Sequence, residues 1–367
     1  MTCSKASSTV ARLSIGPLSL QSTACASIGP SSVPEDRIDY ATSIGNSWKD
    51  QTLLNIVKLR YADLPIFLEI TQVIAGYQVQ GTVGANFAGA NFNATTIGPF
   101  TAAGSAGASG TYTDRPTIIY SPLTGVDFLK RLMTPIPPSS VLFVLQAGYS
   151  AERIMPIMLD SVNGLNNRSS RLNRAADPGF TRLVQLMQEA QLAGALQFRI
   201  QHPDEPAESS VLVFGPSEEP QIAAKGREIR KLLRLRPDLK EISVYYGGYS
   251  GKDNEIDMAT RSMLQIMLEF SALVRVPASD VTQGRAAPGS IDSPSDRPQD
   301  KASMRVMSGE AQPRDAYVSV HYGGRWFWIA DTDIQSKSTF GTLMLLFSIA
   351  ETGVKGSAPV VTVPANQ

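Results

Sequence analysis

Residues 81–120 read GTVGANFAGANFNATTIGPFTAAGSAGASGTYTDRPTIIY, and no Asp, Glu, Lys or Arg occurs between 81 and 113. Unfolded segments ordinarily carry charge and proline, so a charge-free stretch of Gly and Ala with alternating residues asks for another explanation. Just upstream, IFLEITQVIAGYQVQGTV is rich in β-branched and aromatic residues and alternates Tyr77, Val79 and Val83 against Gln78, Gln80 and Thr82. Two strand-like runs, about 77–93 and 101–120, flank ATTIGPF, where Gly98-Pro99 signals a turn. The expectation is a long β-hairpin. Transmembrane β-strands need only ~9–11 residues each and show weak alternation rather than a helical signal. One hairpin cannot close a barrel, and open strand edges are not tolerated in lipid, so a membrane role implies a ring of protomers. Phe87, Phe92, Phe100 and Tyr112 are then the expected anchors, at head-group level or between protomers. A water-exposed hairpin or Gly/Ala loop is the competing reading.

Upstream of the hairpin, SWKDQTLLNIVKLRYADLP places Leu53, Leu54, Val57 and Tyr61 at helical spacing, with Pro65 as the stop. At the start of the chain, Lys5 and Arg12 precede a mildly apolar stretch and the run STAC, the outline of an export signal with Cys25 at a lipoprotein processing position. Ser22 stands where such sites usually carry Leu, and a cytosolic tail is the alternative. Cys3 and Cys25 are the chain's two cysteines, so the body has neither a disulfide nor a thiolate metal site to expect. With 33 basic and 33 acidic residues, the formal charge is zero and no global field draws the chain to nucleic acid. No run reaches the ~18 apolar residues of a spanning helix.

Downstream, helices are expected over TGVDFLKRLMTPIPP with a Thr cap, over SSVLFVLQAGY, and over SAERIMPIMLDSVNGL with Ser150 as cap. Then PGFTRLVQLMQEAQLAGAL (helix), LQFRIQH and SSVLVFG (strands), AAKGREIRKLLRLRP (helix), KEISVYYGG (strand) and EIDMATRSMLQIMLEFSALV (long helix) alternate as in a layered α+β or α/β body. Residues 277–315, dense in Pro, Ser, Asp and Arg, read as a mobile linker with almost no apolar anchor over 280–312. Beyond it come a hairpin around Gly323-Gly324, the helix TDIQSKSTFGTLMLLFSIAETG and a strand APVVTV, expected to complete the same sheet.

Signals of catalysis fail one by one. GGYSGKD is one residue short of a phosphate loop and has Asp253 where Ser or Thr is required; it reads as a turn. Asp253, Glu255 and Asp257 start like a calcium loop, but Met258 and Leu264 occupy the Gly and closing Glu positions, so a solvated helix N-terminus is expected. His202 and His321 share no metal-ligand spacing, and His321 reads as structural. No G-x-S-x-G elbow occurs. Lys225, Arg227, Arg230, Lys231 and Arg234 suggest a basic helix face that could meet an anionic surface, against the plainer reading of a solvated amphipathic helix. The run HYGGRWFWI sets Trp326 and Trp328 against Phe327 and suits a half-buried strand better than base stacking.

The stretches DQTLLNIVKLRYADLPIFLEI, DRPTIIYSPLTGVDFLKRLMTPIP and RWFWIADTDIQSKSTFGTLMLLFSIAETG resemble those of a family of uncharacterised bacterial exported proteins, many of them lipoproteins. The resemblance runs from about residue 28 onward, implies an envelope location with Cys25 as the processed residue, and carries no activity. The expected fold is α+β, a mixed sheet with packed helices plus a long Gly/Ala-rich hairpin projecting from the body. Its divisions are a signal-like segment (1–24), an N-terminal arm and helix (25–70), the hairpin (71–122), a helical and α/β body (123–276), the linker (277–315) and a C-terminal hairpin, helix and strand (316–367). The expected role is that of a lipid-anchored, non-enzymatic envelope protein, a structural or channel component of an oligomeric outer-membrane assembly. Copies of itself, membrane lipid through the acyl anchor and other envelope proteins are the expected partners, with no cofactor, no metal and no nucleic acid. A periplasmic α/β hydrolase or small-ligand-binding protein is the alternative.

Overall fold

The structure, a computed structural model, describes residues 33–74, 77–87, 104–114, 117–123, 125–201, 209–214, 220–289 and 304–351. It is α+β and divides into two compact units, Met1–Ala41 with Ala75–Arg115 and Thr42–Ile74 with Pro116–Gln367.

Helix α1 (Val33–Arg60) ends before Pro65 is reached. Ala62 takes a left-handed φ of 56° and Asp63 N–H bonds back to the Lys58 carbonyl at 2.9 Å, so the chain closes the helix with its own backbone. Leu53, Ile56 and Val57 are fully buried along one face. Four strands follow in two antiparallel ribbons: β1 (Phe67–Ile74) pairs β4 (Thr117–Leu123), and β2 (Tyr77–Phe87) pairs β3 (Gly104–Asp114). Strand pairing therefore begins at Phe67, inside the expected N-terminal arm.

Helices α2 (Val126–Met133), α3 (Pro138–Gln146) and α4 (Ala151–Met158) come next. Gly125, with φ 95°, occupies the cap position of α2 without a side-chain bond. Ser150 holds the expected N-cap position of α4 but makes no side-chain capping bond; its hydroxyl donates to Gln188 Oε1 at 2.7 Å. The expected helix over SAERIMPIMLDSVNGL stops at Met158, where β5 (Leu159–Val162) and β6 (Leu165–Asn166) form a hairpin on Asn163-Gly164. Both turn residues have positive φ, 43° and 81°, the conformation this pair favours.

After α5 (Pro178–Leu192), β7 (Leu196–Gln201), β8 (Ser209–Phe214), α6 (Pro220–Leu232) and β9 (Glu241–Tyr246), the expected long helix EIDMATRSMLQIMLEFSALV splits into β10 (Glu255–Thr260) and α7 (Met263–Ser271). A reciprocal capping box between Ser262 and Gln265 starts the helix afresh. Strand β10 lies between β5 and β9 in a mixed sheet of order β6-β5-β10-β9-β8-β7, so Glu255 and Asp257 are buried rather than at a solvated helix start. GGYSGKD is a turn, held by Ser250 N–H on Asp257 Oδ2 at 2.6 Å.

The span 277–315 is not a linker throughout. Helix α8 (Ala278–Thr282) opens it, β11 (Met307–Gly309) lies near its end, and Ala286, Met304 and Val306 are buried. Val306 bridges Val274, and Arg305 N–H donates to Ser336 Oγ at 2.9 Å; these apolar and polar anchors tie down what composition alone marked as loose. Residues 290–303 lie outside the described part.

Strands β12 (Ala316–Tyr322) and β13 (Arg325–Ala330) form the expected hairpin on Gly323-Gly324. With β11 they make a separate three-stranded sheet instead of completing the larger one. Phe327 and Ile329 face inward with no exposure, while Trp326 and Trp328 stay half-buried on the opposite face. Helix α9 (Ile334–Glu351) supplies Phe340 and Leu343 to the same core. The expected strand APVVTV falls outside the described residues.

Candidate functional site

The described strands on either side of the charge-free region's centre pair as an in-register ladder. Strands β2 and β3 have 11 residues each and pair without interruption from Tyr77 opposite Asp114 to Phe87 opposite Gly104. Directly opposite residues share a face of an antiparallel pair. The register therefore sorts the sequence into two sets. One contains Tyr77, Val79, Val83, Ala85 and Phe87 with Tyr112, Ala108, Ala106 and Gly104; the other contains Gln78, Gln80, Thr82 and Asn86 with Thr113, Thr111, Ser109 and Ser105. One strand read alone showed weak amphipathicity, whereas the pair separates a largely apolar set from a hydroxyl and amide set; Asp114, the single charged residue in either strand, stands opposite Tyr77 at the end of the apolar set.

Of the four expected aromatic anchors, Phe87 and Tyr112 fall in the apolar set. Phe92 and Phe100 lie outside the described residues, as does Cys25.

The second ribbon, β1–β4, has an unusual edge. Asn55 of α1 donates from Nδ2 to the Ile66 carbonyl at 2.8 Å and accepts from Ile66 N–H at 2.9 Å. One helical turn earlier, Gln51 does the same for Leu68, at 3.1 and 2.7 Å. Four helical residues rise about 6.0 Å and two strand residues about 6.6 Å, so amides spaced by four can serve strand positions spaced by two. The helix side chains thus act as a substitute strand. Ser47 stands at the next position of that row, and its short side chain leaves the row unfinished. A groove of about 270 Å³ opens there, lined by Ile44, Ser47, Trp48, Phe67, Leu68, Ile70 and Tyr120 among others.

The basic helix face is only partly available. Lys225 Nζ pairs with Glu189 at 2.9 Å, and the Arg230 guanidinium donates twice to the Leu239 carbonyl, with burial pulling its pKa down. Arg227 and Lys231 are exposed on α6. Arg234 lies past the helix end with φ 56°, its guanidinium 5.4 Å from the Tyr249 ring centre. Between the exposed Arg227 and Lys231 sits Glu228, its pKa lowered first by the hydrogen bond from Arg182. The five cations do not form a single face.

His321 is exposed on β12 and packs edge-on against Trp326 at 5.3 Å, away from the groove. His202 lies outside the described residues. Buried Arg261 donates to the carbonyls of Pro156, Ile157 and Arg168, while Glu269 accepts from Ser169 Oγ and Ser170 N–H. This network pins the segment after β6 and adds no reactive group to the groove. Sequence reasoning missed the Gln51 and Asn55 ladder; two amides four apart on a helix facing a strand were its one visible sign.

No described helix is long and apolar enough to cross a membrane. In comparisons with protein families, curated proteins and solved structures, the chain matched none.

Proposed function

We propose that the chain is a lipid-anchored component of an oligomeric bacterial envelope assembly in which the β2–β3 ribbons of several copies form a shared β-barrel channel. The observation that carries this reading is the segregation of the ladder into an apolar set and an uncharged polar set. A barrel wall in a membrane needs that arrangement: apolar residues toward lipid, hydrogen-bonding side chains toward a water-filled lumen. Its 11-residue strands match the ~9–11 residues that cross a bilayer at a tilt. Gly and Ala positions let neighbouring backbones approach, and ring closure removes the edges that one ribbon leaves open. Cys25 in its STAC context would supply the acyl anchor that holds the copies at one surface, and the envelope-family resemblance agrees with that location.

The test uses dye-loaded phosphatidylethanolamine/phosphatidylglycerol vesicles and planar-bilayer recording. The full chain should release dye and conduct. Deleting 81–113 should abolish both while the body keeps its fold. Val83→Arg, in the apolar set, should block insertion, since a cationic side chain at mid-bilayer costs about 2–4 kcal/mol. Thr82→Arg, in the polar set, should preserve conductance and shift it toward anions. Equal release by the deletion variant, or equal effects of the two arginines, would sink the channel reading.

A further inference from the structure

The β1–β4 ribbon carries a contact surface of its own. Among the described residues, β1 and β4 form a sheet of two strands. Such a sheet is marginal in water unless something packs on it or extends it. Here Leu68, Ile118, Ile119 and Tyr120 remain exposed, and β4 carries no charged side chain to repel an incoming strand.

Among the described residues, both edges are closed at one end of the ribbon and open at the same rung, Ile70 opposite Tyr120, just before a register shift between Ile70 and Gln72. On β1, the Gln51 amide occupies both backbone groups of Leu68. Leu68 therefore turns its N–H and C=O outward, and its partner Pro122 must do likewise on the β4 side. A proline there gives up only an outward N–H, so that edge is blunted without loss to the ladder. Two residues on, Ile70 and Tyr120 face each other and by the same alternation point their backbone groups outward. Beside Ile70 the row offers Ser47 in place of a third amide, and the groove opens there, lined also by Gln51, already engaged with Leu68, and by Glu69.

We infer that the β1 edge, from Ile70 onward, is the docking site for the β4 edge, from Tyr120 onward, of a second copy of this chain, with the groove receiving an apolar side chain from the incoming strand. Strand polarity fits. In a ring of hairpins the returning strand of one copy runs antiparallel to the leading strand of the next, and β4 is the returning strand. The two edges differ, so the contact is head-to-tail and propagates until the ring closes. The inference deepens the channel reading but rests on a different surface.

Two substitutions close the two edges separately. Ser47→Gln extends the amide row so that the helix satisfies Ile70 within its own protomer, in a groove with room for the longer side chain. Tyr120→Lys places a charge on the β4 edge at a position already exposed. In the full-length protein, sedimentation or mass photometry should show each variant as a monomer where the wild type assembles, with half-assembly moved to at least about tenfold higher concentration. An equimolar mixture should form dimers and nothing larger, because the intact β4 edge of the first variant meets the intact β1 edge of the second. Circular dichroism and melting curves check that each variant is folded, and either edge alone suffices to decide. Wild-type assembly by folded single variants, a mixture that stays monomeric, or a wild type that never assembles overturns the inference. Deleting 81–113 separates the two proposals: oligomers without dye release support the edge contact, whereas unchanged release ends the channel reading and leaves the edge contact to the mixing result.

Discussion

The six-stranded sheet and the β1–β4 ribbon are built from similar residues and end in opposite states. In the sheet, Leu212, Ile242, Val244, Ile256 and Met258 are buried under packed helices, and even the acidic side chains of β10 are enclosed. Glu255 and Asp257 tolerate enclosure because Ser250 and Lys252 donate to them from the adjoining turn. In the ribbon, Phe67 is buried while its neighbours Ile66 and Leu68 are exposed, and the edge is served by two amides from a helix. The sheet buries its apolar side chains and pairs its two enclosed carboxylates within one protomer, although the buried hydroxyls of Ser210 and Thr260 have no hydrogen-bond partner among the described residues. The ribbon is served within the protomer for its first rungs and no further, and that is why the partner proposed above is another copy of the chain.

The sharpest way to break this comparison is to truncate one apolar side chain in each system. Leu186 of α5 is fully buried in the core, and Leu186→Ala should destabilise the body by about 2–5 kcal/mol, through lost transfer energy and a cavity. Val83→Ala in β2 should leave the melting midpoint of the body unmoved. Urea titrations of both variants decide it; a comparable loss from Val83→Ala would mean that β2–β3 is part of the body's cooperative core.

A smaller effect probes the helix-to-strand amides. Asn55 is 1% exposed and serves both backbone groups of Ile66. Asn55→Ala should cost about 1–3 kcal/mol, because it strands a donor and an acceptor in a half-buried place. Amide exchange read by mass spectrometry should show faster exchange at Ile66 and through β1, with the six-stranded sheet unchanged. Slowed or unaltered exchange in β1 would remove the substitute-strand account.

The same contrast explains what the sequence made legible. Where one face meets solvent, alternation is visible, as in β12 and β13 with buried Val318, Val320, Phe327 and Ile329. Where a strand is enclosed on both faces, alternation vanishes, and EIDMAT ran into the helix behind it until the Ser262 capping box marked the division. The short hairpin on Asn163-Gly164 was masked by apolar residues at helical spacing in front of it. The strands at 77–87 and 104–114 were readable from alternation and missing charge, but the two-faced character of the pair needed the register, since Gly81 opposite Gly110 and Gly84 opposite Gly107 carry no polarity signal. The basic face failed for a similar reason: spacing places Lys225 and Arg230 on α6 but cannot reveal Glu189 and the Leu239 carbonyl waiting for them.

The smallest predicted effect lies where α1 meets α8, and its pH dependence has a definite sign. Tyr61 donates to Asp280 Oδ2 at 2.8 Å, and its pKa is raised above the ordinary 10.0, first by burial and then by the bond to Asp280. A tyrosine that holds its proton more tightly when folded contributes stability below its unfolded pKa and loses it as pH climbs toward the folded value. Tyr61→Phe should therefore be less stable than wild type by about 1 kcal/mol at pH 8, the usual worth of one such bond. Above pH 10 the wild type must release a proton on unfolding that the variant lacks, so the two stability curves should converge. Urea midpoints measured from pH 8 to 11 provide the check. A constant gap across that range would show that the Tyr61 hydroxyl does not titrate differently on folding, and that the Asp280 bond acts as a simple spacer between the two helices.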